Sequence, residues 1–183
     1  MISQEELYIL SYYRVSELAG ALLFGRMAMH TNVDTLRIPL TEQCSEEAKH
    51  AWLITETIQK LGAVPLKITE TFQSEIAKEF GMPENILEIL CLTQIFEVRV
   101  LDHYIKHTKL LKLNPLIKKT LNKMIEDESG HVSWIAEELK KYKKEYGKEK
   151  VNRIMNRVKK VDALVLRKLS HSSPFKEYFK ELL

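Results

Sequence analysis

Glycine and proline are scarce in this chain, six and five in 183 residues. Too few turn formers remain for a sheet-rich fold, and long helices are favoured. The two cysteines, Cys44 and Cys91, form no C-x-x-C pair, which excludes a disulfide framework and a rubredoxin-type iron site. No apolar run approaches ~18 residues, so no transmembrane helix is expected. The start, Met1-Ile2-Ser3-Gln4-Glu5-Glu6, lacks the basic residues and apolar core of a signal peptide. A cytoplasmic protein is the expectation. What is present is a hydrophobic content of 45% and enough length for one domain with a sizeable core, spanning 1–183. Charge is divided: residues 140–183 carry 14 Lys and Arg against 5 Asp and Glu, a balance of +9, whereas residues 1–139 carry 14 against 20.

Helical periodicity runs through most of the chain. Ser3-x-x-Glu6 has the form of a capping box and opens a helix over about 4–30. Leu10, Tyr13, Glu17, Ala21 and Phe24 share one stripe of it, with Glu17 the only acid. Thr31 to Asp34 reads as a turn. A second helix ends near Leu61 before Gly62, and Pro39 leaves its start open. Residues 63–83 form a long connection with a short helix over Thr69–Phe80. A third helix spans about Glu84–Lys112, with Ile86, Leu90, Thr93, Glu97, Leu101 and Tyr104 on one face. Asn114-Pro115 starts a fourth helix that reaches Tyr146 before Gly147. A fifth fits 148–170, where Val151, Ile154, Val158, Val161 and Val165 form an apolar stripe. Ser173-Pro174 opens a short terminal helix.

The chemistry concentrates in a doubled motif. Glu47-x-x-His50 and Glu128-x-x-His131 each put a carboxylate and an imidazole on one helix face. Glu17 lies 30 residues before Glu47, and Glu97 lies 31 before Glu128. In each case the midpoint falls in a turn, so an antiparallel hairpin brings the two to one level. One Glu from each of two helices, with Glu-x-x-His from each of the other two, is the ligand set of a carboxylate-bridged two-metal site in a four-helix bundle. Two divalent ions balance four glutamates. The oxygen-rich set suits iron or manganese better than structural zinc. The fold expected is all-α: a ferritin-like four-helix bundle over 1–146, with a long crossover between helices two and three, and a basic helical extension over 147–183.

This pattern resembles the ferritin-like di-iron superfamily, which includes bacterioferritin, rubrerythrin, demethoxyubiquinone hydroxylase, the hydroxylase of a hypermodified tRNA adenosine and aldehyde-deformylating oxygenase. The resemblance covers about residues 4–146, and Asp127-Glu128-Ser129-Gly130-His131 has the family's Asp-Glu-x-x-His form. It implies that Glu47 and Glu128 bridge two iron ions (Mn/Fe and Mn/Mn pairs fit the same donors). It implies that Glu17 and His50 complete one ion's ligands and Glu97 and His131 the other's. It further implies that Asp127 accepts from His50 and Glu46 from His131. His103 and His107 fall off the Glu97 stripe and read as surface residues. Tyr13 and Tyr104 read as core aromatics, with a phenol near the metals as the second reading. Gly20, in mid-helix, reads either as a close-packing residue or as room for oxygen or substrate.

Three functions fit these residues. The first is an O2-dependent oxidase or monooxygenase acting on an organic substrate, with Glu17, Glu47, Glu97 and Glu128 in the catalytic centre. The second is a rubrerythrin- or ferritin-like peroxidase or ferroxidase. The third is a non-catalytic helical interaction module. Two cysteines cannot supply the four-cysteine electron-delivering site of a rubrerythrin, and the 50 residues between Glu47 and Glu97 look longer than in cage-forming bacterioferritin. Both features favour the oxygenase. The basic segment suits a substrate or partner with negative charge: RNA, an acyl-carrier protein, an anionic membrane surface or a small acid. A homodimer and an external electron donor are compatible with it.

Overall fold

The Ser3 hydroxyl accepts a hydrogen bond from the Glu6 N–H at 3.1 Å and starts α1, Gln4–His30. Five more helices follow: α2 Asp34–Lys60, α3 Phe72–Phe80, α4 Ile86–His107, α5 Pro115–Tyr146 and α6 Lys148–Ser170. This computed structural model describes residues 2–110 and 112–170, and the described residues contain no strand. The short helix expected after Ser173-Pro174 lies outside them.

Local chemistry accounts for the boundaries. Asn85 caps α4 by accepting from the Glu88 N–H. Asn114 caps α5 by accepting from the Leu116 N–H, with Pro115 in the first turn where its missing donor costs nothing. Pro39 lies within α2, in its second turn, where it removes one backbone hydrogen bond. Gly147 takes φ +88° between α5 and α6, a left-handed conformation that glycine adopts freely. Two expected spans are corrected. The third long helix ends at His107 rather than Lys112, where a tight turn supersedes the α-helical bonds. The connecting helix starts at Phe72 rather than Thr69.

The helices fall into two compact units, residues 1–71 and the chain from Phe72 onward. In the first, α1 and α2 form an antiparallel hairpin: Arg14 Nε donates to Thr55 Oγ1 at 2.8 Å, and Gly25 abuts Cys44 farther along. Ile9, Leu10, Phe24, Leu36, Leu40, Ile54 and Ile58 are among its fully buried apolar side chains. The start of the connection returns along α1, where the Leu66 N–H donates to Ser11 Oγ.

In the second unit α4 packs on α5, and α6 packs on both and on α3. Val151, Val158 and Val165, seven residues apart on α6, are completely buried. At about 25 cal/mol per Å² of apolar surface, each contributes roughly 1.5–3 kcal/mol to that docking. Arg99 on α4 makes a two-point ion pair with Asp162 on α6, at 2.6 and 3.3 Å. Arg157 donates to the Phe80 carbonyl at 2.8 Å and lies over the Phe80 ring. Lys168 reaches the buried Glu75, so two of the basic residues on α6, Arg157 and Lys168, fasten α3 in place.

Candidate metal centre

All six expected donors are buried. On α1 the expected stripe is the buried one: Leu10, Tyr13, Glu17, Ala21 and Phe24 all point inward, and Glu17 is carried in with its apolar neighbours. On α2, Glu47 and His50 are buried while Ala48 and Lys49 between them are exposed, as the i,i+3 geometry requires. The same holds for Glu128 and His131 on α5, with Ser129 and Gly130 exposed.

Each unit therefore holds a triad of two carboxylates and one imidazole. In the first, Glu17, Glu47 and His50 offer ligand atoms that all lie within 4.8 Å of one another. His50 Nδ1 is 3.2 Å from Glu17 Oε2. In the second, Glu97, Glu128 and His131 do the same within 4.8 Å. His131 Nδ1 lies 3.2 Å from Glu128 Oε2 and 3.8 Å from Glu97 Oε2. In both triads Nδ1 is the imidazole nitrogen on the carboxylate side.

The electrostatics fit a cation. The Glu97 carboxyl is raised to about 8, chiefly by burial, with His131 opposing the shift and the negative charge of Glu128 adding to it. A carboxylate that resists ionisation inside protein gains from a positive ion more than a solvated one does. Two carboxylates and one imidazole within ligand distance can hold a metal ion.

Close to the first triad, α1 comes very near the Glu47 side chain at Gly20. A Cβ built there would sit 2.9 Å from Glu47 Oε2 and 3.3 Å from its Cδ. Tyr13, one turn before Glu17, and Tyr104, two turns after Glu97, are both buried. Glu46 is half-buried and Asp127 is exposed.

Sequence reasoning marks Gln94 only as a position that adds no carboxylate, and it misses Gln43 and the burial of two histidines. The Oε1 atoms of Gln43 and Gln94 are buried without a hydrogen-bond partner among the described residues. They precede Glu47 and Glu97 by one turn, and that spacing was the signal that could have found them. His103 and His107 are buried, not at the surface as expected. Burial lowers His103 to about 3, with Arg99 adding to the effect, and lowers His107 to about 4. The face they share with Arg99 is the side of α4 that receives α6, a helix outside the four-helix reading.

No helix among the described residues is long and apolar enough to cross a membrane. Comparison of the chain with family models, with curated proteins and with solved structures found no match.

Proposed function

We propose that this chain is a non-heme di-iron oxidoreductase that uses O2 to oxidise or hydroxylate an organic substrate. In this reading α1, α2, α4 and α5 form a ferritin-like four-helix bundle. Residues 61–85 are its crossover, and α6 belongs to the basic extension of the same domain. The two triads would then make one site, with Glu17, Glu47, His50, Glu97, Glu128 and His131 as ligands, and by the resemblance Glu47 and Glu128 would be shared between the ions. The observation that carries the proposal is the matched pair of buried triads, each built from a lone glutamate on one helix and Glu-x-x-His on the next. Four glutamates balance two divalent ions, and either two irons or a manganese-containing pair suits the donors.

A ferrous pair held by these residues would supply two electrons for the reduction of O2 as the substrate is oxidised, and an external electron donor would restore them. The chain's own part is to bind, orient and keep dry. Apolar side chains such as Leu10, Ile54, Leu90, Leu121 and Ile135, all fully or almost fully buried, exclude water from the carboxylates. With Nδ1 of each imidazole facing carboxylate, Nε2–H remains to donate to an acceptor that fixes the tautomer. The resemblance assigns that role to Asp127 for His50 and to Glu46 for His131. The Gln43 and Gln94 side chains, one turn from a ligand glutamate, bind and orient polar atoms of the substrate. Glu97 holds a proton in the metal-free chain and releases it as the cation arrives.

The test is metal analysis on protein purified without added metal, then an absorption spectrum after reduction and exposure to O2 with a panel of organic acids. Two transition-metal ions per chain and an oxidised organic product are expected. Metal content near zero in folded protein supplied with Fe(II) overturns the reading. Turnover of peroxide or bulk Fe(II) without organic product replaces it with a peroxidase or ferroxidase.

A further inference from the structure

Gly20 sits in the interior of α1, where glycine costs about 1 kcal/mol relative to alanine. Its backbone gives no reason for that cost. Gly62, Gly81 and Gly147 have positive φ at turns, but Gly20 does not. The reason is steric. A Cβ at position 20 would lie 2.9 Å from Glu47 Oε2, 3.3 Å from Cδ and 3.4 Å from Cγ. The whole outer half of the Glu47 side chain lies against a residue of α1 that has no side chain. Gly20 also follows Glu17 by three residues, on the same helix face. The bare backbone at Gly20 therefore adjoins two of the three donors of the first triad.

We propose that Gly20 is a positioning residue. By leaving its Cβ position open, it lets the Glu47 carboxylate lie flat against α1, in the conformation that brings its oxygen within 4.8 Å of the donor atoms of Glu17 and His50. This rests on the metal reading of that triad. The group displaced by a Cβ is the mobile end of a flexible side chain, so the metal-free fold tolerates a methyl there by swinging Glu47 aside. The cost falls on the ligand geometry. Ordinary close packing would show the reverse pattern, with the cost in the fold and none specific to metal.

The experiment compares wild type, Gly20→Ala and Gly130→Ala by thermal melting of the metal-free proteins and by anaerobic Fe(II) titration calorimetry. Gly130 also lies beside two donors, but a Cβ there would meet nothing within 4 Å, so it reports helix propensity alone. The expected result is a Gly20→Ala melting temperature equal to or above wild type, with Fe(II) affinity at least tenfold weaker. Gly130→Ala should bind as wild type does. Equal Fe(II) affinity in Gly20→Ala and wild type overturns the positioning role and leaves the metal site intact. Absence of Fe(II) binding in wild type overturns both. If Gly20→Ala does not fold, the double variant Gly20→Ala/Glu47→Ala removes the clashing carboxylate. Recovery of folding supports the contact, and failure to recover overturns it.

Discussion

His50 Nδ1 stands 3.2 Å from Glu17 Oε2 with both side chains 1% exposed. An imidazole and a carboxylate that far from water are kept together by each other, or by a cation that both can reach. The two cases respond differently to metal.

Excess Fe(II) under anaerobic conditions is expected to stabilise the folded protein by mass action. At a hundredfold over Kd the gain is about 2.7 kcal/mol, or roughly 5–10 °C for a chain of this size. Glu17→Ala should lose most of that rise and bind one ion fewer. An undiminished rise in Glu17→Ala would show that the ion lies elsewhere.

The metal-free protein should weaken as pH rises. Glu97 has its carboxyl raised from 4.5 to about 8, chiefly by burial, so the folded state holds a proton that the unfolded chain gives up. That contribution is complete below pH 4.5, declines between 4.5 and about 8, and is gone above. Metal-free wild type should therefore melt lower at pH 8 than at pH 6, and Glu97→Gln should flatten the difference. Parallel profiles for the two proteins would contradict the assignment.

His107 predicts the opposite slope at lower pH. Burial depresses it from 6.5 to about 4, so the fold requires the neutral ring. Its contribution is complete above pH 6.5 and is lost as pH falls toward 4, amounting to about 2 kcal/mol by pH 5. Urea unfolding at pH 7 and pH 5 measures this. His107→Gln should lose about 2 kcal/mol less than wild type over that interval, and equal losses would refute it. Comparing the two proteins cancels the titration of Glu97.

Binding of an anionic partner is expected to run through Arg153, Lys159 and Lys160. All three are exposed on α6, whereas Arg157 and Lys168 are committed to Phe80 and Glu75. Reversing the three charges should abolish salt-sensitive binding of a short single-stranded RNA or of anionic vesicles. Binding that survives the reversal, or that ignores salt, would assign α6 a purely structural role.

Much of this was legible because the signals were local. Ser3, Asn114 and Gly147 are caps whose side chain or backbone freedom sets a helix end within one turn. The six donors follow from i,i+3 spacing and from equal distance to a turn, both of which can be counted along the chain. What could not be counted was which helix covers which. His103 and His107 sit on a polar-looking face of α4 that is buried in the fold, and on the same side of that helix Arg99 pairs with Asp162 of α6, 63 residues away. Glu75 is likewise held by Lys168 across 93 residues, and no local pattern announces such a partner. The approach of Gly20 to Glu47 depends on the packing distance between two helices, which periodicity does not encode.

The hairpin that carries Glu17 and His50 separates them by only 33 residues. Contacts of short sequence separation close at small entropic cost and form early. As the chain is synthesised, Glu17, Glu47 and His50 are all in place before Glu97 has been added, and domains fold in order from the N-terminal side. The first three donors can therefore assemble, and meet a passing cation, on a polypeptide whose other half does not yet exist.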